Sequence, residues 1–131
     1  MKEWHFYDRV YRSWVVVVIG TAEEFIKFMD GTTYKYCEDL QPNSSGYCIT
    51  LNGDNTTNGN YATIIWLKRK EYACLVHELS HLVMQIFDDK GVPLRNENTE
   101  AFAYYIEFWF NTITRAWRSS PGGIKSSEVI K

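Results

Sequence analysis

Residues 73–83 read ACLVHELSHLV, and the way this stretch folds decides how the rest of the chain is read. Leu75, Leu79, Leu82-Val83 and Ile86 recur at helical spacing, which predicts a helix from Glu71 to about Asp89. Gly91 followed by Pro93 supplies its stop. On such a helix, positions four apart stack one turn above the other, so the imidazoles of His77 and His81 aim at a single point. The plainer reading is a half-buried helix whose two histidines are held by hydrogen bonds. The chain has only 3 histidines, and two of them bracket Glu78 at this spacing in an uncharged run, which favours a ligand pair.

Outward from this helix, a second one is predicted to start between Asn96 and Thr99 and to run to about Arg118. Its apolar stripe is Phe102, Tyr105-Ile106, Trp109, Ile113 and Trp117, and Arg115 and Arg118 suit the negative end of its dipole. Pro121-Gly122-Gly123 then releases a polar segment, so 1–120 is read as one domain and 121–131 as a flexible C-terminal tail. Upstream, YATIIWL (61–67) and GYCITLNG (46–53) read as strands, with Tyr47, Ile49 and Leu51 alternating, and a hairpin-length connection predicts an antiparallel pair. The intervening NGDNTTNGN (52–60) is a turn or flexible loop. WVVVVI (14–19) is a continuous β-branched and aromatic run closed by Gly20, the pattern of a strand buried on both faces and hence of the central strand. Thr21 with Glu24 three positions on matches a capping box, and Phe25, Ile26 and Phe28-Met29 face a short helix ended by Asp30-Gly31. The order is strand, helix, strands, helix, helix: an α+β domain with a small mixed sheet.

Composition narrows the function classes. At 45% hydrophobic and 23% charged residues, the 131-residue chain is built to fold and not to remain disordered. A formal charge of −2 gives no footprint for nucleic acid, and Lys68-Arg69-Lys70 reads as a solvated loop. The run 14–19 is too short to span a membrane, and the residues before it lack the basic start of a signal peptide, so neither membrane insertion nor secretion is expected. Without a secretory signal, the sequons at Asn43 and Asn55 carry little meaning. Cys37, Cys48 and Cys74 form no CxxC pair and are read as reduced thiols, a Cys37–Cys48 bridge being the minor alternative.

The histidine spacing suits zinc. Glu78 lies beside the first histidine, where it can serve as general base toward a water that the metal acidifies. Such a site wants a third protein ligand, leaving the fourth position to that water. Asp88 and Asp89 lie about 10 Å farther along the same helix and cannot close on the ion. Glu97, Glu100 and Glu107 fall on or just before the next helix. Glu100, 19 positions after His81 and at that helix's start, is the favoured ligand; as a first-turn acid it also suits the helix dipole without any metal. Tyr104 and Glu107 share its face, the first as donor to a developing oxyanion and the second as a carboxylate orienting a histidine. Cys74 precedes His77 by three and reads as small core filler, and His5 reads as structural.

LVHELSHLV (75–83) followed by NENTEAFAYYIEF (96–108) resembles the zincin metallopeptidases, of the type with a glutamate ligand, and more narrowly the small HExxH proteins of tailed bacteriophages. The resemblance runs from about Tyr72 to Phe110. It implies a minimal zincin-like fold with an HExxH active-site helix and a following C-terminal helix, His77, His81 and Glu100 as zinc ligands, Glu78 as base and Tyr104 as a further catalytic group. Peptides or proteins are the implied substrates, bound along a sheet edge supplied by 47–51 or 62–67, in the host cytoplasm or on the virion. The thermolysin-like pattern has an aspartate four positions after the ligand glutamate, where this chain has Tyr104. The alternative is a catalytically silent, zincin-like structural or adaptor component of a phage particle, with phage structural proteins as partners.

Overall fold

In a computed structural model of the chain, residues 1–30, 44–51, 62–119 and 124–130 are described. The strands are β1 (Lys2–Asp8), β2 (Ser13–Ile19), β3 (Gly46–Leu51), β4 (Ala62–Leu67) and β5 (Ile124–Ile130). The helices are α1 (Ala22–Asp30), α2 (Tyr72–Asp89) and α3 (Thr99–Ser119), the last preceded by a short 3-10 turn at Asn96–Asn98. The strands form one mixed sheet in the order β3-β4-β2-β1-β5. Pairs β1/β2 and β3/β4 are antiparallel, whereas β2/β4 and β1/β5 are parallel. The class is α+β, with the valine-rich β2 at the sheet's centre. Among the described residues, no helix is long and apolar enough to cross a membrane.

Two apolar clusters explain why β2 and β4 read as continuous hydrophobic runs: helices cover both faces of the sheet. On one face, Val18, Ile49, Ile64 and Trp66 pack against Phe25 and Met29 of α1, with the Phe25 and Trp66 rings stacked 5.3 Å apart. On the other, Trp4, Phe6, Val15, Val17, Ile65 and Leu67 receive the apolar stripes of α2 and α3. The capping box of α1 forms in both directions: Glu24 N–H donates to Thr21 Oγ1 (3.1 Å) and Thr21 N–H donates to Glu24 Oε1 (2.8 Å).

α2 and α3 run antiparallel. Tyr72 at the start of α2 meets Phe110 and Trp117, while Phe87 near its end meets Phe102 and Tyr105. The reversal begins at Gly91, whose φ of 74° is left-handed. Val92 N–H donates to Phe87 O (2.8 Å) and Gly91 N–H to Asp88 O (3.2 Å), the two bonds of a Schellman cap. A Cβ at Gly91 would meet nothing within 4 Å, so Gly91→Ala is expected to cost only the left-handed backbone penalty, about 1–2 kcal/mol in urea unfolding. A loss above about 3 kcal/mol would mean that the glycine has a packing role as well.

Two sequence expectations are corrected. The order read from sequence lacks β1, because KEWHFYD mixes charges with aromatics. Its alternation nevertheless buries Trp4, Phe6 and Asp8. The buried Asp8 carboxylate is satisfied by the Tyr105 hydroxyl and by Val10 N–H (2.8 Å), tying the β1–β2 hairpin to α3. The tail assigned to 121–131 is in fact a strand over 124–130, because β1 presents a free edge of backbone donors and acceptors that β5 pairs, Glu3 opposite Ile124 through Asp8 opposite Ile130. The loop 52–60, Cys37, Asn43, Asn55 and residues 121–123 lie outside the described residues; Cys48 and Cys74 are free thiols.

Candidate metal centre

α2 is anchored by its buried side, where Leu75, Leu79, Leu82, Val83 and Ile86 are fully covered. That anchoring turns His77 and His81 to solvent, with ring centroids 5.1 Å apart and planes inclined by 70°. One ligand atom each from His77, Glu78 and His81 lie within 4.8 Å of one another, the only group of three metal-binding side chains found among the described residues. Two exposed imidazoles one helical turn apart fit zinc's preference for nitrogen donors.

Glu78 differs from its neighbours in being buried, at 7% exposure. Burial raises its pKa from the ordinary glutamate value, and the nearby His77 and His81 oppose the rise. Its carboxylate reaches under β3 at Gly46, where a Cβ would lie 3.1 Å from Glu78 Oε2 and 3.2 Å from the Trp66 carbonyl. A side chain at this position would have to push its neighbours back by a few tenths of an ångström, so glycine suits the close approach of strand and carboxylate.

Between α2 and β3 lies an open cleft of about 410 Å³, bounded by Gly46, Cys48, His77, Glu78, His81 and Gln85. Among the described residues β3 is a sheet edge, whereas β4 lies between β3 and β2. Of the two segments expected to supply a substrate edge, 47–51 therefore has the position and 62–67 does not. Gln85, one turn beyond His81, fastens the edge strand to the helix: its Oε1 accepts from the Thr50 hydroxyl and lies 3.8 Å from Cys48 Sγ. Burial, and then the charge of Glu78, push the Cys48 thiol strongly up.

The structure does not bring Glu100, Tyr104 or Glu107 to this cleft. All three are exposed on α3, Tyr104 at 65%. Helical geometry gives the reason. α3 docks on the side of α2 marked by Tyr72 and Phe87, and at about 100° per residue His77 stands roughly 140° around from Tyr72 and His81 roughly 120° from Phe87. The favoured third ligand thus lies across α2 from the histidines. Glu97 is exposed in the 3-10 turn, and Asp89 pairs with Lys90 at 3.0 Å. Cys74 Sγ contacts Glu71 at 3.5 Å, and His5 pairs with Glu3 on β1 at 2.7 Å.

Gly46, Cys48 and Gln85 went unassigned in the sequence reading. The signal was present for two of them: if Tyr47 and Ile49 share one face of a strand, Gly46 and Cys48 must share the other. Comparison of the chain with protein-family models, curated proteins and solved structures gives no match.

Proposed function

We propose that the chain is a zinc-dependent metallopeptidase in which His77 and His81 hold the ion and Glu78 is the general base. The observation that carries this reading is the convergence of His77, Glu78 and His81 within 4.8 Å beside a cleft bordered by a sheet edge. Zinc held there would polarise a scissile carbonyl and lower the pKa of water toward neutrality. Glu78 accepts the water proton on its carboxylate and passes it to the leaving amine. Burial favours its protonated form, which assists acceptance of that proton. An extended peptide would lie along β3, an edge of the sheet among the described residues, as an added strand.

The reading predicts one zinc per chain in protein purified without added metal, lost in His77→Ala and kept in Glu78→Gln, measured by plasma mass spectrometry. Wild type loaded with zinc should also cleave members of a mixed peptide library. Wild type that neither contains zinc nor takes it up would reduce HELSH to a helix face. The second reading, a catalytically silent adaptor of a phage particle, draws support from Val76 (44% exposed) and Met84 (43%) on α2 and Tyr104 on α3, apolar groups suited to docking. Stoichiometric zinc without cleavage of any peptide would favour it.

A further inference from the structure

We propose that Cys48, and not Glu100, is the third protein ligand, so that zinc is held by His77, His81 and the Cys48 thiolate. This rests on the zinc reading above and departs from the glutamate-ligated pattern. In β3 the residues alternate: Tyr47 and Ile49 pack toward α1, which turns Cys48 toward α2. There Cys48 borders the same cleft as both histidines. The contact with Gln85 fixes the sulfur alongside the histidine face, because Gln85 follows His81 by one turn.

Donor chemistry favours the same residue. Thiolate and imidazole together are ordinary zinc ligands, and a sulfur third ligand leaves the Glu78 carboxylate free to act as base. The sulfur lies outside the 4.8 Å group, so ligation exchanges the Gln85 contact for a zinc–sulfur bond, and the thiol proton leaves to solvent. Gln85 then accepts from Thr50 alone. Cys74 is the rival thiol, but it sits one turn before His77 beside Glu71 and does not border the cleft that His81 shares.

The test is cobalt(II) titration of the full chain. Cobalt in the site should give visible ligand-field bands and, in addition, an intense near-ultraviolet thiolate charge-transfer band at one equivalent. Cys48→Ser should remove the charge-transfer band and weaken zinc binding by more than the roughly 10–100-fold of an outer-shell contact. Cys37→Ser, Cys74→Ser and Glu100→Gln should keep the band. Ligand-field bands without charge transfer, or a charge-transfer band that survives Cys48→Ser, would overturn the assignment while leaving the zinc reading intact. No uptake of cobalt or zinc by wild type would overturn both. Because the serine variant could fail to fold, alkylation of the wild type is followed in parallel by peptide mass mapping. Zinc should protect Cys48, and equal labelling with and without zinc would reject it as a ligand.

Discussion

Glu78→Gln should lower peptide hydrolysis by roughly 10²–10⁴-fold, the usual worth of a positioned general base, while zinc content stays at the wild-type level. Glutamine keeps the volume of the side chain under Gly46, so the fold around the cleft has no cavity or clash to absorb. What it loses is the carboxylate that accepts a proton. The measurement is kcat/KM on a peptide cleaved by wild type, with zinc quantified on the same preparation. Activity within tenfold of wild type would remove Glu78 from the base role, and loss of zinc together with activity would make Glu78 a ligand. His77→Ala separates these cases, because it should lose metal and activity together.

How far the sequence was legible follows from the range of each signal. Local patterns carried α1, α2 and α3, the capping box at Thr21 and Glu24, the central strand β2 and the β3–β4 pair, because periods of 2 and 3.6 residues and the Gly91 stop are written within a few residues. The His77–Glu78–His81 group was legible for the same reason: all three ligand atoms come from one helix. The partners that complete a site across elements were not. Glu100 was favoured on its distance along the chain, but a nine-residue link between α2 and α3 leaves open which side of α2 the second helix covers, and Phe87 and Tyr72 draw it away from the histidines. Cys48 reaches the cleft only because β3 pairs outside β4, a long-range fact. β1 and β5 escaped for a related reason, since each is defined by pairing and neither has a clean hydrophobic run.

Trp109→Ala is expected to destabilise the fold by about 3–5 kcal/mol, the upper range for truncating a core side chain. Trp109 is fully buried at the middle of α3. Its ring meets Phe6 of β1 edge-on at 6.0 Å, Tyr105 at 6.1 Å and Phe108 at 5.3 Å. Removing the indole opens a cavity among Phe6, Tyr105 and Phe108, and Tyr105 is held back from filling it by its hydrogen bond to Asp8. A domain of this size is stable by about 5–15 kcal/mol, so the variant should unfold at markedly lower urea and melt roughly 10–20 °C earlier. Trp109→Phe should lose less, because it keeps an aromatic edge against Phe6. Both variants should still bind zinc below their melting temperatures, because the histidines lie on the side of α2 that α3 does not touch. A Trp109→Ala midpoint within about 1 kcal/mol of wild type would mean that α3 is not seated on the sheet as described. The side of α2 left open to the metal would then have to be reassigned, and with it the exclusion of Glu100.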